Sequence, residues 1–302
     1  MKFQQLEVFV DVVEQGGIRA AARHLSLSQA AVTKSMRLLE EEAGVPLLLR
    51  RARGIALTDA GQRLLARARV VSRHLLLARE ELRQSLGEDC GTVRIGVTPF
   101  LTLTALGRAF AWFRKRYRQV DVQLTEGLMS RVVPALREGS LDIAAVAADV
   151  GELQDGEFNC RRILRTPQRI VVREGHPVLA DPTAQALGAL EWVLTAPVAG
   201  GSRPRIDAMF AAAGLPRPSR ITVCESLAAM TILRHCDAAS IFPLPLLGQP
   251  ESRGIVEVAG APLQPTDIEL LVLTQNDVPL TPAAEYFAHC LVATVEPPSF
   301  GA

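Results

Sequence analysis

Residues 20–34, AAARHLSLSQAAVTK, have the pattern of two short helices joined by a tight turn. The alanines allow close helix–helix contact, and Ser28 is placed to cap the first turn of the second helix. Upstream, apolar residues from Phe3 to Val13 recur at helical spacing until Gly16-Gly17. These features predict a helix-turn-helix, whose last helix enters the major groove of DNA.

The helix that begins near Ser28 divides into an apolar and a polar face. We expect the unit to pack inward through Ala22, Leu25, Leu27, Val32, Met36 and Leu39. The opposite face carries Ser28, Gln29, Ala30, Thr33, Lys34 and Arg37. Glutamine can bond adenine in a bidentate way, and lysine or arginine reach guanine or phosphate. The alternative is a polar face that is merely solvated.

Residues 45–57 predict a two-stranded β-wing with a basic tip formed by Arg50, Arg51 and Arg53. Arginines at this place can clamp phosphates beside the groove. The charge distribution agrees, since residues 1–90 carry 14 Lys or Arg against 11 Asp or Glu. The remainder carries 19 against 21, on a chain of net charge +1. A basic segment attached to a near-neutral remainder suits DNA binding by the N-terminal part alone.

Residues 20–34, together with Leu39-Glu40, Pro46-Leu47 and LTDAG at 57–61, resemble the winged helix-turn-helix of the LysR-type transcriptional regulators. Two departures are Ala30, where the family commonly has proline, and Gly17-Ile18, where it usually has a capping serine or threonine. The resemblance implies DNA contacts by Ser28, Gln29, Thr33, Lys34 and Arg37, and on the wing by Arg50, Arg51 and Arg53.

A long helix is predicted from Asp59 to about Leu86, with Thr58 as its cap. Its heptad seam consists of Leu64, Ala68, Val71, Leu75, Ala78, Leu82 and Ser85. Such a seam is what pairing of two helices requires. The alternative is a helix packed on its own domain. LysR-type regulators dimerise through a linker helix at this position, so the resemblance favours pairing.

From Thr92 onward, strand and helix patterns alternate, which predicts parallel α/β sheets covered on both faces. We therefore expect an α/β region of two lobes after an all-α winged helix-turn-helix and a long linker helix. The resemblance to LysR-type regulators implies that this region is an effector-binding domain similar to periplasmic binding proteins. The expected domains are 1–58 for DNA binding, 59–88 for the linker and 89–302 for effector binding. Within the last, lobe 1 covers about 91–164 and 267–302, and lobe 2 covers about 165–266.

Ligands of open α/β sheets bind beyond the carboxyl ends of the strands. The residues predicted there are Thr98, Pro99, Phe100, Thr102, Met129, Gly200, Ser202, Glu225, Ser226 and Pro243. Their hydroxyls suit a carboxylate or sulfonate, whereas Glu225 argues against a purely anionic pocket. Ser202 and Ser226 have an alternative role as helix caps. Segments 223–226 and 278–282 also resemble family members that respond to aromatic sulfonates or carboxylates.

Other classes of protein fit the sequence less well. There is no P-loop, GxSxG, HExxH or GxGxxG motif, and the five histidines are isolated. We therefore expect no catalytic residue, metal site or cofactor. A transport-type binding protein would require a signal peptide and would not carry residues 1–60. The five cysteines are scattered, and redox sensing through Cys224 and Cys236 is a second regulatory hypothesis.

The expected function is sequence-specific transcription regulation in the cytoplasm, controlled by a small-molecule effector such as an aromatic or other organic acid. The expected partners are double-stranded DNA, the effector, RNA polymerase and further copies of the chain. No membrane segment is expected. The resemblance implies a tetramer built as a dimer of dimers.

Overall fold

The computed structural model describes residues 1–51, 54–149, 156–195 and 202–295. The chain divides into two compact units. The first comprises Met1–Leu86 with Glu138–Ser140, and the second comprises Gly87–Arg137 with Leu141–Ala302.

The first unit begins with the three helices α1 (Phe3–Glu14), α2 (Ile18–His24) and α3 (Gln29–Ala43). Their shared core includes Phe9, Val12, Ala21, Ala22, Val32, Met36 and Leu39. The prediction for Leu27 was wrong, because this side chain is exposed. Leu27 lies in the turn between α2 and α3, after Ser26 at a positive φ of 54°. Its side chain therefore does not follow the helical periodicity on which the prediction rested.

The wing consists of β1 (Leu48–Arg51) and β2 (Gly54–Leu57), which pair in antiparallel register with Leu48 opposite Leu57. After it, α4 runs from Asp59 to Ser85 and is capped by Thr58, whose Oγ1 accepts a hydrogen bond from the Gly61 N–H at 2.9 Å. Both predictions, of a wing and of one long helix, are confirmed.

The second unit has a regular order of strands and helices. In chain order these are β3 (Thr92–Val97), α5 (Pro99–Leu101), a π-helical turn (Thr102–Leu106), α6 (Gly107–Arg116), β4 (Asp121–Glu126), α7 (Met129–Arg137), β5 (Ile143–Asp149), β6 (Phe158–Thr166), β7 (Gln168–Arg173), a 3-10 turn (Pro177–Leu179), α8 (Ala184–Ala189), β8 (Glu191–Thr195), α9 (Ser202–Ala212), β9 (Arg220–Cys224), α10 (Ser226–His235), β10 (Ala238–Pro243), α11 (Leu244–Leu247), a 3-10 turn (Pro250–Ser252), β11 (Ile255–Glu257), β12 (Ile268–Gln275) and α12 (Pro282–Val295).

The strands form two five-stranded sheets, in the orders β4-β3-β5-β12-β6 and β11-β7-β10-β8-β9. We call the first sheet with its helices lobe 1 and the second lobe 2. The expected parallel pairing holds for β3, β4 and β5, and for β8, β9 and β10. The remaining pairs are antiparallel. The two-lobed α/β fold class is confirmed.

The chain passes between the lobes from β6 to β7 and again from β11 to β12. The lobes also pack directly, because α11 of lobe 2 contacts the π-helical turn of lobe 1. One apolar core continues through this contact and includes Leu101 and Ala105 on one side and Phe242 and Leu246 on the other. The segments that follow the carboxyl ends of β3 and β10 thus meet where the two lobes pack together.

Candidate functional site

The exposed face of α3 carries the predicted DNA-reading side chains. Gln29, Ala30, Thr33, Lys34 and Arg37 are exposed, whereas Val32, Met36 and Leu39 are buried. Ser28 caps the helix through its Oγ, which accepts a hydrogen bond from the Ala31 N–H at 3.1 Å. The helix therefore presents small and polar side chains on one face, as a groove-facing surface requires.

Arg37 has an ion-pair partner that the spacing of residues in the sequence does not predict. Its Nε donates to Glu41 Oε1 at 2.6 Å, one helical turn further along. The hydrogen bond and charge of Glu41 raise the pKa of Arg37. The guanidinium is thus held along the helix by an acidic neighbour at the i+4 position.

The wing is attached to α3 by Glu40, a role that the motif containing Leu39-Glu40 does not predict. Its Oε1 accepts from the N–H of Leu47 at 2.7 Å and from the N–H of Leu48 at 3.1 Å. Of the predicted wing arginines, Arg50 and Arg51 lie in β1 with their side chains not described, and Arg53 lies outside the described residues.

One face of α4 is apolar and exposed in the single chain. Val71 is 46 % exposed, Leu82 is 69 % exposed and Leu86, which ends the helix, is 82 % exposed. Leu75 is half-buried. These residues follow one another at spacings of four and seven, so they lie on one stripe of the helix. An apolar stripe left open to water is typical of a surface that pairs with another chain.

The predicted lobe 1 effector residues lie at the carboxyl end of β3. Val97 is level with Glu126 of β4, so the two parallel strands end at the same edge. Thr98 follows at once, is 4 % exposed, and its Oγ1 has no hydrogen-bond partner in the described chain. Phe100 is instead part of the apolar core. Thr102 Oγ1 lies 3.5 Å from the Thr98 carbonyl oxygen.

Two further residues predicted for the lobe 1 site, Pro99 and Met129, lie at the starts of helices. Pro99 is the first residue of α5. Met129 begins α7 and packs partly against the apolar cluster between that helix and the sheet. Its side chain therefore contributes to packing on the face covered by α7.

Of the predicted lobe 2 residues, Glu225 and Ser226 follow the carboxyl end of β9, and Pro243 lies at that of β10. The last residues of β8 and β9, Thr195 and Cys224, are level with each other. Glu225 is the exposed N-cap of α10 and Ser226 is its first helical residue, so Ser226 does not occupy the cap position. Pro243 ends β10. Gly200 lies outside the described residues, and the side chain of Ser202, which begins α9, is not described.

Sequence reasoning missed one polar residue at this edge, Gln168. It begins β7 opposite Pro243 and is 5 % exposed. A single glutamine between apolar and basic residues gives no periodic signal, which is why the sequence does not reveal it. Nearby, Arg169 pairs with Glu257 at 3.0 Å and Arg165 with Asp267 at 2.9 Å, so these two cations at the crossing have carboxylate partners.

The cysteines offer little to redox chemistry. Cys224 is half-buried and Cys236 is exposed. Burial and the neighbouring Glu225 raise the pKa of Cys224, which disfavours its reactive thiolate form. Among the described residues, no group of His, Cys, Asp and Glu is placed to hold a metal ion. No described helix is long and apolar enough to span a membrane.

Two family models match the chain. Residues 3–62 match the model described as "Bacterial regulatory helix-turn-helix protein, lysR family", and residues 86–296 match the "LysR substrate binding domain". A curated relative, the HTH-type transcriptional regulator PcaQ of Agrobacterium fabrum, is 28% identical over 291 residues, which cover 93% of this chain and 92% of PcaQ.

Solved structures share the fold. Full-length CbnR complexed with its target DNA has a TM-score of 0.67 at 22% identity, covering 97% of this chain and 100% of CbnR. Full-length LysG from Corynebacterium glutamicum, with bound effector arginine, has a TM-score of 0.63 at 15% identity, covering 97% of this chain and 98% of LysG. At these identities the likeness concerns the fold.

Proposed function

We propose, from the premise that the chain belongs to the LysR family of bacterial transcription regulators, that it binds a specific operator under the control of a small-molecule effector. The observation that carries this proposal is the exposed face of α3, where Gln29, Thr33 and Lys34 stand clear of the core. We assign base and phosphate contacts to this face, to Ser28, Ala30 and Arg37, and to the wing arginines.

The proposed assembly is a homotetramer that begins with pairing through α4. The exposed stripe of Val71, Leu82 and Leu86 supports this step, because two such stripes would cover each other. Pairing brings together two copies of the helix-turn-helix and its wing, residues 1–58, which we call the reading head. Two reading heads match an operator with two half-sites. We retain residues 1–58, 59–88 and 89–302 as the DNA-binding, linker and effector-binding parts, and RNA polymerase as a further partner in the cytoplasm.

The proposed effector is an aromatic or other organic acid bound between the lobes. Thr98 supports the place, because its buried hydroxyl has no partner in the described chain and lies where β3 ends. A hydroxyl can donate to a carboxylate. The effector must prefer one arrangement of the lobes, since a ligand without such a preference shifts no equilibrium.

The test is fluorescence anisotropy with DNA from upstream of the protein's own gene and with scrambled DNA, over a salt series. We expect operator preference and a steep salt dependence. Lys34→Ala should weaken operator binding by about 1–3 kcal/mol. Lys115→Ala is the matched control, because Lys115 is exposed on α6 in the other unit. An unchanged operator affinity in Lys34→Ala would contradict the recognition-face assignment.

A further inference from the structure

Gln168 is a buried amide whose oxygen lacks a hydrogen bond. The residue is 5 % exposed, and its Oε1 has no partner in the described part of the chain. Ser240 of the neighbouring strand β10 shows the usual arrangement, because its buried hydroxyl donates to the Val193 carbonyl oxygen at 2.6 Å. An unpaired buried acceptor loses its water without compensation, which destabilises the protein. Gln168 is therefore a poor choice for packing alone.

The place of Gln168 in β7 determines which side of the lobe 2 sheet its amide lies on. Alternate residues of β7 share a side of the sheet, so Gln168 lies on the side of Ile170 and Val172. Those two belong to the apolar core that also contains Ile206 and Phe210 of α9. Gln168 comes before them, level with Pro243 at the carboxyl end of β10. Its amide thus lies at the end of the apolar layer under α9, level with the carboxyl end of β10.

This edge is a switch point of the lobe 2 sheet. From β8 the chain continues through α9 to β9, and from there through α10 to β10 on the other side of β8. The helices cover opposite faces, since α9 packs in one apolar cluster and α10 in another. Ligands of such sheets bind in the crevice that opens at this point. In lobe 1, the residue that follows the carboxyl end of β3, Thr98, is also buried with a hydroxyl that has no partner in the described chain.

We propose that Gln168 determines effector specificity by accepting a hydrogen bond from a hydroxyl or amino group of the effector. This inference rests on the proposed function, which places an organic acid between the lobes. Thr98 then donates to the carboxylate, and Gln168 Oε1 accepts from a donor elsewhere on the molecule. Because Arg165 and Arg169 are paired with carboxylates, recognition at Gln168 is by a neutral hydrogen bond. The class is a hydroxylated or aminated organic acid.

The first arm of the test needs no effector. Gln168→Leu removes the unpaired polar group at similar size, so the midpoint of thermal unfolding of the ligand-free protein should rise by roughly 2–4 °C. Thr281→Val is the control, because the buried Thr281 Oγ1 accepts from the Ala284 N–H at 3.4 Å. Its midpoint should fall. A lower midpoint in Gln168→Leu would show a structural role for the amide and overturn the proposal.

The second arm measures calorimetric binding of matched acids: benzoate with 4-hydroxybenzoate and 4-aminobenzoate, and succinate with malate. We expect the parent protein to prefer a substituted acid about tenfold, and Gln168→Leu to lose that preference. Equal affinity within every set would overturn the inference and leave the organic-acid proposal intact. Binding of none of these acids, with operator binding retained, would overturn both the acid class and the inference built on it.

Discussion

The Glu40 carboxylate accepts a hydrogen bond from the backbone N–H of Leu47 at 2.7 Å, so the C-terminal part of α3 is bonded to the chain just before the wing. The same oxygen accepts from Leu48. Because the N–H of Leu47 and of Leu48 would otherwise lose a partner, we expect Glu40→Ala to lower the free energy of unfolding of the first unit by about 1–3 kcal/mol. Urea denaturation followed by circular dichroism measures this.

Glu40→Gln serves as the close comparison, because its amide oxygen can still accept both bonds and most of the stability should remain. Glu41→Ala removes only the exposed ion pair with Arg37 and should change stability by less than about 0.5 kcal/mol. Equal losses in Glu40→Ala and Glu41→Ala would argue against the role given to Glu40.

A pair of glycine substitutions should change stability in opposite directions. A Cβ at Gly61, inside α4, would overlap the Leu47 carbonyl oxygen and lie 3.0 Å from Leu57 Cδ2. Because the Leu47 backbone cannot move aside without strain, Gly61→Ala should lower the free energy of unfolding by about 1–3 kcal/mol. Gly107 begins α6 with nothing within 4 Å of its Cβ position. Gly107→Ala should therefore stabilise by about 0.5–1 kcal/mol, and thermal unfolding would show opposite shifts of the midpoint.

Leu82 should be necessary for pairing through α4. A charge placed there by Leu82→Glu would leave the exposed stripe repulsive between two copies, and we expect a smaller species in analytical ultracentrifugation. Glu81→Lys is the control, since Glu81 lies on the same turn but off the stripe, and its assembly should match the parent. A Leu82→Glu protein with the parent's sedimentation would exclude α4 as the pairing surface.

His176 should make the second unit sensitive to mild acid. Its Nδ1 accepts from the Val178 N–H at 3.0 Å, and Nε2 lies 3.9 Å from Asp237 Oδ1. Burial lowers the pKa of His176, and Arg173 lowers it further, although Asp237 acts in the opposite direction. The folded state thus binds a proton less readily than the unfolded state. The contribution of neutral His176 to the free energy of unfolding is fully present above the unfolded pKa of about 6.5. It is lost as the pH decreases below that value.

Denaturant midpoints at pH about 7.5 and about 5.5 measure this effect. His176→Asn keeps an acceptor for the Val178 N–H and should reduce the loss of stability on acidification. His235→Asn changes an exposed histidine and should retain the parent's pH dependence. An unreduced loss in His176→Asn would assign the acid sensitivity to other groups.

The sequence predicted elements wherever a periodic apolar pattern or a cap marks them. Ser28 and Thr58 cap α3 and α4 as expected, and the strands β3, β5 and β12 follow their apolar runs. The strand β6 was not predicted. It lies at the edge of its sheet and carries Arg161, Arg162 and Arg165, so its sequence has no alternation to detect.

The site was predictable only in part, because the spacing of residue types along the chain does not show which side chains pair with each other. The polar face of α3 follows from the spacing of its residues alone. The ion pair of Arg37 with Glu41 depends on the conformations of the two side chains, which the sequence does not give. Phe100 was predicted to face the effector but belongs to the core. In contrast, Gln168 is remote in sequence from Thr98 and lies in the other lobe, at the carboxyl edge of β10, because β7 starts where the chain crosses between the lobes.

The place of β12 also sets an order of events during synthesis. This strand lies between β5 and β6 and pairs with both, so the lobe 1 sheet cannot close until residues 268–275 have left the ribosome. The first unit, by contrast, is built almost entirely from residues 1–86 and its helices pack locally. Nascent chains should therefore carry a folded reading head for most of translation while their ligand-binding part is still open. A stop codon before residue 268 would release a protein with a folded reading head and an incomplete lobe 1 sheet.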